Sequence, residues 1–192
     1  MKKRIVVFAS GTGSNTINII NYFNEHPNIS VSCVMSNNKA APVLQSATEL
    51  GVANYSFDKD MLQNENGKVL QILQEIKPDL IVLAGFLWKF PVHIIKEFPN
   101  VINIHPALLP KYGGRGMYGA NVHRAVLDNK EIESGITIHK VNEIYDDGTI
   151  LFQKRVAIDP EETIETLQQK IHSLEHKYFP EVIEKLLLSK NL

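Results

Sequence analysis

An amide and an imidazole share one face of a short apolar run that ends at a proline. Asn103 and His105 alternate with Ile102 and Ile104 in residues 101–105. Side chains two positions apart in a strand point the same way, so the amide and imidazole lie side by side while the isoleucines face the core. Open α/β sheets bind ligands where such strands end. Both polar side chains can donate a hydrogen bond to a developing oxyanion.

A carboxylate follows in the segment Tyr-Asp-Asp-Gly, residues 145–148. Asp146 and Asp147 could simply form a turn with Gly148. Beside an amide and an imidazole, however, a carboxylate can hold a histidine and favour its charged form. The sequence shows no serine or cysteine paired with a base. We therefore expect a transfer reaction in which the substrate brings its own nucleophile.

A glycine-rich segment, residues 10–15, follows an apolar strand pattern and opens a helical one. Its exposed N–H groups and the helix dipole would favour a phosphate. Thr16 occupies the last glycine position of a dinucleotide fingerprint, and the lysine of a Walker loop is absent, so a monophosphate fits better. A tight turn with Ser14 or Asn15 as helix N-cap is the alternative.

Composition narrows the class of protein. The chain has 192 residues, 44% of them hydrophobic, and a formal net charge of -1. These values suit one globular α/β domain and give no sign of nucleic acid or an acidic membrane as partner. The single cysteine, Cys33, lies in an apolar run and is expected to be a buried, inert thiol. No apolar stretch has membrane-spanning or signal-peptide length, so the expected compartment is the cytoplasm.

Strand and helix patterns alternate along the first half of the chain. This alternation predicts an α/β, Rossmann-like fold with a mostly parallel twisted sheet and helices on both faces. Two alternating segments in the C-terminal half predict an antiparallel edge. Pro180 should divide the last helix in two or kink it. The expected strands cover residues 5–9, 29–35, 53–57, 80–84, 101–105, 135–140 and 150–156, and the expected helices begin near residues 15, 42, 66, 91 and 160.

Two further segments have competing interpretations. His172 and His176 stand in an H-x-x-E-H pattern that could bind zinc, but a third ligand has no obvious candidate and a solvated helix face is preferred. The aromatic residues Phe86 and Trp88 follow an apolar strand and could belong to the core or line a pocket for a flat ring system.

Several of these segments, in this order, resemble the phosphoribosylglycinamide formyltransferases, folate-dependent enzymes of purine biosynthesis. The resemblance extends over nearly the whole chain, and its most specific element is the Asn-x-His-Pro run with a distal aspartate. The similar segments are residues 10–15, 83–86, 102–106, 108–112 and 135–139, Asp146 with Gly148, and Glu175–His176 with Tyr178 and Pro180.

The resemblance implies a single formyltransferase domain over residues 1–192, with a phosphate- and nucleotide-binding half to about residue 100 and a catalytic, folate-binding half from about 101. It implies two small-molecule substrates, 10-formyltetrahydrofolate and glycinamide ribonucleotide, no metal, no nucleic acid or membrane partner, and a monomer or homodimer. The implied catalytic residues are Asn103, His105 and Asp146, with Thr137 and His139 in support. Gly13, Ser14 and Asn15 would bind the substrate phosphate, and Leu87, Trp88, Lys89, Phe90, Val141 and Asp146 would bind the folate.

The implied mechanism places the formyl oxyanion against Asn103 and against a His105 that Asp146 keeps protonated. Two departures from the family pattern bear on it. The loop of residues 112–120 is longer than in many relatives, and Asp147 replaces the first of two glycines that often follow the catalytic aspartate. Asp146 is assigned by its spacing from His139, with Asp147 as its rival.

Three other functions compete with this one. A formyltetrahydrofolate hydrolase would normally carry a regulatory domain, for which 192 residues leave no room. A methionyl-tRNA formyltransferase would normally carry an RNA-binding domain and a basic surface, which a net charge of -1 opposes. The third is a nucleotide-binding module without catalysis.

Overall fold

The computed structural model describes residues 2–189, so the predicted domain ends at residues 1 and 192 lie outside the described part. Within residues 2–189, strands and helices alternate through most of the chain. The strands are β1 (Lys3–Phe8), β2 (Ile29–Ser36), β3 (Asn54–Ser56), β4 (Leu80–Leu83), β5 (Val101–His105), β6 (Glu133–Lys140) and β7 (Ile150–Ala157). The helices are α1 (Ser14–Phe23), α2 (Pro42–Glu49), α3 (Lys59–Gln63), α4 (Lys68–Ile76), α5 (Val92–Glu97), α6 (Ala120–Asp128) and α7 (Ile164–Leu188).

The strands form one sheet in the order β3-β2-β1-β4-β5-β6-β7. β1 pairs in parallel with both β2 and β4, and β2 pairs in parallel with β3. β6 and β7 are antiparallel, and β7 is the last strand in the order. The predicted α/β fold, with a mostly parallel sheet and an antiparallel edge in the C-terminal half, is confirmed.

The described residues divide into two compact units, residues 2–102 with 183–189 and residues 103–182. In the first unit, the central strands β1 and β4 bury nearly all their side chains, as parallel strands covered on both faces do. Phe8 at the end of β1 packs edge-on against Phe57, Phe86 and Phe90, with ring centroids 5.1–5.8 Å apart. This aromatic cluster fixes the segments that follow β1 and β4.

Gly13 rather than a polar side chain precedes α1. It adopts φ 74°, in the left-handed region that favours glycine, and its carbonyl accepts the first helical hydrogen bond from Ile17. Gly13 is itself the N-cap residue, so the alternative in which Ser14 or Asn15 is the N-cap is wrong. A Cβ at Gly13 would overlap the side chain of Val43 on α2. Close packing of α2 against this turn therefore requires glycine, whatever the turn binds.

In the second unit, Gly135 of β6 lets the neighbouring strand and loop approach closely. A Cβ there would overlap the carbonyl of Lys154 on β7 and would lie 2.7 Å from Leu108 Cδ2. The segment after β5 thus packs onto the β6–β7 hairpin.

The last helix and two short ones differ from the sequence prediction. α7 continues through Pro180, so of the two predicted outcomes, a division into two helices or a kink, the division is wrong. Phe179 and Ile183, on either side of the proline, are both fully buried, and this burial outweighs the one hydrogen bond that proline removes. The short helices α3 and α6 were not predicted, because each lies next to a polar or glycine-rich segment that resembles a loop.

We expect Gly13→Ala to lower the free energy of unfolding by about 2–4 kcal/mol, because the methyl group overlaps Val43 and a side chain disfavours positive φ. Gly11→Ala is the matched control in the same turn. A Cβ at Gly11 meets nothing within 4 Å, so its effect should stay within about 0.5 kcal/mol. Urea denaturation of both variants checks this, and equal destabilisation would contradict it.

Candidate active site

The alternation of polar and apolar residues in β5 places the Asn103 amide and the His105 imidazole as predicted. Ile102 and Ile104 are buried, while Asn103 is half-buried and His105 is 3% exposed. The strand therefore delivers two polar groups from a rigid support, and the imidazole is almost wholly removed from water.

The Asp146 carboxylate reaches both of these residues. Its Oδ2 lies 3.6 Å from His105 Nδ1, and its Oδ1 accepts a long hydrogen bond, 3.4 Å, from Asn103 Nδ2. On the other side, Oδ1 lies 3.5 Å from His139 Nε2. Only 12% of the Asp146 side chain is exposed, so one buried carboxylate joins the amide to two imidazoles.

Asp147 does not compete for this position. Its side chain is exposed, and its Oδ2 accepts a hydrogen bond from Asn142 at 3.4 Å, within the turn between β6 and β7. The backbone of Asp146 has φ 55°, a conformation that aspartate tolerates better than most residues. The turn therefore directs the first carboxylate inward and the second outward.

His139 completes the cluster from β6. Its Nδ1 donates to the carbonyl of Lys140 at 2.9 Å, which leaves Nε2 to accept from Asn103 Nδ2 at 3.1 Å. The pairing of β6 with β7 shifts register at His139, an irregularity of the kind that redirects side chains next to active sites. His139 thus orients the Asn103 amide.

The imidazole of His105 is held from both sides. Its Nε2 donates to the carbonyl of Tyr112 at 2.7 Å, and its Nδ1 faces Asp146. Burial lowers the pKa of His105 by more than Asp146 and the Tyr112 carbonyl raise it, and His139 lowers it further. The expectation that Asp146 keeps His105 protonated stays a prediction, and the desolvation of the imidazolium, which was not visible in the sequence, opposes it.

The carboxyl of Asp146 has the opposite balance. Burial alone would raise its pKa, but the neighbouring imidazoles of His139 and His105 and the N–H of Gly114 together hold the pKa below its usual value. Asp146 is consequently a carboxylate at neutral pH. It is a weak base and a strong electrostatic partner.

Two backbone groups complete the cluster, and no motif in the sequence pointed to them directly. The carbonyl of Tyr112 binds His105, and the N–H of Gly114 donates to Asp146 Oδ2 at 2.9 Å. A Cβ at Gly113 would lie 2.6 Å from Leu109 Cδ2 and 3.1 Å from Asp146 Cβ. The Gly113-Gly114 pair was the only available signal, since it marks a close backbone approach.

Thr137 supports this loop from β6. Its hydroxyl donates to the carbonyl of Ala107 at 2.6 Å and accepts from the N–H of Leu109 at 3.0 Å and from Gln153 Nε2 at 2.9 Å. Thr137 is fully buried, so these bonds tie the start of the loop to the hairpin without competition from water.

The glycine-rich turn after β1 lies in the first unit. Gly13, Ser14 and Asn15 are half-buried at the start of α1, where backbone N–H groups are exposed by helix geometry. Ser10 Oγ accepts a hydrogen bond from the N–H of Leu87 at 3.0 Å, which ties this turn to the segment after β4.

That segment carries the residues predicted to bind the folate. Leu87 and Lys89 are exposed and Trp88 is half-buried, with its ring 6.3 Å from that of Phe57. Phe90, in contrast, is 4% exposed and packs on Phe8, so its side chain belongs to the core. In the second unit, Val141 is half-buried at the end of β6.

Two other sequence features have structural explanations. Cys33 is buried, and burial raises the pKa of its thiol to about 12. The rings of His172 and His176 lie 3.9 Å apart on α7, but among residues 2–189 no group of three or more metal-binding side chains could hold an ion. Within the same residues, no helix is both long and apolar enough to cross a membrane.

This arrangement can stabilise a negative charge that develops on a substrate. An amide, two imidazoles and a carboxylate converge in residues 103–146, and the cluster includes no hydroxyl or thiol nucleophile. The fold and the site together define a Rossmann-like α/β protein of the group-transfer class.

The chain belongs to the formyl transferase family, whose model matches residues 3–183. It is 37% identical to a chloroplast phosphoribosylglycinamide formyltransferase of Arabidopsis thaliana, over 95% of this chain and 64% of that protein. It is 33% identical to the phosphoribosylglycinamide formyltransferase of Bacillus subtilis, over 96% and 95% of the two chains. A crystal structure of glycinamide ribonucleotide transformylase 1 from Symbiobacterium toebii matches with a TM-score of 0.87 and 29% identity, over 97% and 88%.

The charge balance of the site can be measured directly. We expect the pKa of His105 to lie below the ordinary value of about 6.5 and to fall further in Asp146→Asn, because that change removes the carboxylate that raises it. Asp147→Asn is the matched control and should leave His105 unchanged. Histidine NMR titrations of the three proteins check this. An unchanged or raised pKa in Asp146→Asn would refute it.

Proposed function

We propose that the protein transfers the formyl group of 10-formyltetrahydrofolate to the amine of glycinamide ribonucleotide, a step of purine biosynthesis. The observation that carries the proposal is the convergence of Asn103, His105 and Asp146 without a protein nucleophile, in a chain of the formyl transferase family. Relatives named for this activity support the choice of substrates.

In the proposed reaction, the amine nitrogen attacks the formyl carbon and a tetrahedral intermediate with a negatively charged oxygen forms. Asn103 would donate to that oxygen. Both hydrogens of its amide already face acceptors, His139 at 3.1 Å and Asp146 at 3.4 Å, and the longer bond is the one that an oxyanion would replace. The bond from the carbon to the folate nitrogen then breaks, which gives a formamide and tetrahydrofolate.

His105 would respond to the charge of this intermediate. Burial lowers the pKa of its imidazole, which favours the neutral ring in the free protein. A second negative charge beside the ring, added to that of Asp146, would raise the pKa and stabilise the imidazolium as the oxyanion forms. The proton lost by the amine and the proton gained by the folate nitrogen would pass through this pair, with water between where the distance requires it.

Substrate binding is assigned to two sets of residues. Gly13, Ser14 and Asn15 would bind the ribonucleotide phosphate through backbone N–H groups at the start of α1. Leu87, Trp88 and Lys89, with the backbone of Phe90, would contact the folate, as would Val141 and Asp146. Within this proposal, residues 1–192 form one formyltransferase domain. Its first half binds the phosphate, and its second half carries the reacting groups.

The remaining parts of the proposal concern the setting of the reaction. A net charge of -1 favours small-molecule substrates over nucleic acid. We place the enzyme in the cytoplasm as a monomer or homodimer, and it needs no metal for the chemistry described. Mass measurement of the purified protein by light scattering determines the oligomeric state.

We expect Asn103→Ala and His105→Ala each to lower kcat for formyl transfer by about 10²–10³, because the first removes a donor to the oxyanion and the second removes the imidazolium that would stabilise its charge. Asp146→Asn should cause a comparable loss, whereas Asp147→Asn should stay close to the unaltered protein because its carboxylate faces solvent. The assay follows tetrahydrofolate production from 10-formyltetrahydrofolate and glycinamide ribonucleotide.

A panel of acceptors separates the rival functions. Formylation of the ribonucleotide supports the proposal. Production of formate without an acceptor indicates the hydrolase, formylation of methionyl-tRNA indicates the tRNA enzyme, and nucleotide binding without any turnover indicates a binding module. Near-normal rates in both Asn103→Ala and His105→Ala would refute the mechanism.

A further inference from the structure

The loop after β5 contacts both members of the His105–Asp146 pair through its backbone. The carbonyl of Tyr112 accepts from His105 Nε2 at 2.7 Å, and the N–H of Gly114 donates to Asp146 Oδ2 at 2.9 Å. Tyr112 and Gly114 both have positive φ, 58° and 99°. Residues 112–114 therefore contact both the His105 imidazole and the Asp146 carboxylate. They do so in a backbone conformation that is unfavourable for tyrosine.

The side chain of Tyr112 anchors this loop to Glu131. The Tyr112 hydroxyl donates to Glu131 Oε1 at 2.8 Å, and Lys111 Nζ donates to the same oxygen at 2.8 Å. Glu131 follows α6, and its N–H bonds to the carbonyl of Val126 in that helix at 3.3 Å. One carboxylate oxygen of Glu131 thus accepts hydrogen bonds from two consecutive residues of the loop.

Packing alone does not fix the Tyr112 side chain. It lines a cavity of about 270 Å³, whose wall also includes Glu131, Ser134, Gln153 and Arg155. The charged groups of that wall are already paired, Arg155 with Glu133 and Lys111 with Glu131. Because Tyr112 borders open space, the hydrogen bond to Glu131 is the specific restraint on its side chain.

We propose that Glu131, acting through the Tyr112 hydroxyl, is a positioning residue that sets the placement of His105 against Asp146. This inference rests on the proposed function for its catalytic consequence, but its structural part stands independently. Without the anchor, the Tyr112 carbonyl and the Gly114 N–H lose their fixed positions, and the imidazole and carboxylate lose their alignment.

The ionisation of the anchor fits this role. Burial, followed by the hydrogen bond and charge of Glu131, raises the pKa of Tyr112 to about 12, so the hydroxyl keeps its proton at neutral pH. Hydrogen bonds from Lys111 and Tyr112 lower the pKa of Glu131, which keeps it an acceptor. The pair is therefore a donor and a charged acceptor throughout the neutral range.

The first test is Tyr112→Phe, which removes one oxygen atom and keeps the ring. We expect kcat for formyl transfer to fall about 10- to 100-fold, because small misplacements of reacting groups are costly, while KM for both substrates changes less than about twofold. A kcat equal to that of the unaltered protein would overturn the proposal.

Substitutions at Glu131 provide the matched comparison. Glu131→Ala should reproduce the loss seen in Tyr112→Phe, whereas Glu131→Gln keeps an oxygen acceptor and should restore most of kcat. Arg155→Gln breaks an exposed ion pair on the same cavity wall without touching Tyr112, so it should leave kcat unchanged. Equal losses in all four variants would show general disturbance of this face and overturn the specific role of Glu131.

A readout without turnover separates this inference from the proposed function. The charged or titratable side chains that shift the pKa of His105 are Asp146 and His139. His105 in turn lowers the pKa of His123 on α6. Tyr112→Phe should lower the pKa of His105 in an NMR titration, because the Tyr112 carbonyl helps to raise it. Tyr112→Leu, which keeps neither the ring nor the hydroxyl, should do the same.

The outcomes are distinguishable. If the unaltered protein forms no formylated product, the proposed function fails, and the His105 titration still decides whether the anchor exists. If Tyr112→Phe titrates like the unaltered protein, the anchor is refuted even if activity falls. Circular dichroism and thermal melting define the temperature at which each variant is folded, and a loss of activity that follows the unfolded fraction alone counts against the proposal.

Discussion

The nearly buried carboxylate of Asp146 requires several segments of residues 103–182 to come together around it. Removing the charge of Asp146 from water is costly unless hydrogen bonds and opposite charges replace its hydration. The structure supplies the N–H of Gly114, the Asn103 amide and the two imidazoles of His105 and His139. The segments that deliver these groups must therefore meet within a few ångströms of one another.

That requirement explains the special backbone around the carboxylate. Asp146 and Tyr112 both have positive φ, which costs about 1–3 kcal/mol each. Gly113 leaves room for Asp146, and Gly148 allows the turn to close on the carbonyl of Lys140, which a Cβ would overlap. Such strain persists because the β6–β7 hairpin, the Thr137 bonds and the hydrogen bond from Tyr112 to Glu131 together hold the geometry.

The sequence predicted the parts of the molecule that depend on side-chain type and spacing. The alternation of Asn103 and His105 with isoleucines placed both groups on one strand face, and the apolar runs predicted a mostly parallel sheet. The sequence could not reveal the Tyr112 carbonyl or the Gly114 N–H, because backbone groups carry no residue signature. It also left open a division of α7 at Pro180, which the structure does not show, and burial of the flanking side chains favours the continuous helix.

The protonation state of His105 was equally hidden, and it has a mechanistic consequence. A histidine that is charged from the outset would present the same positive charge to the neutral formyl group and to the anionic intermediate. His105 has its pKa lowered by burial, and its Nε2 already donates to Tyr112, so the ring can still gain a proton and a positive charge at Nδ1. The developing oxyanion would draw a proton to the side that faces Asp146, so the stabilisation would increase as the reaction proceeds. Catalysis depends on such differences between ground and transition states rather than on binding alone. The desolvation that lowers the pKa of His105 is, in this mechanism, what makes its charge specific to the intermediate.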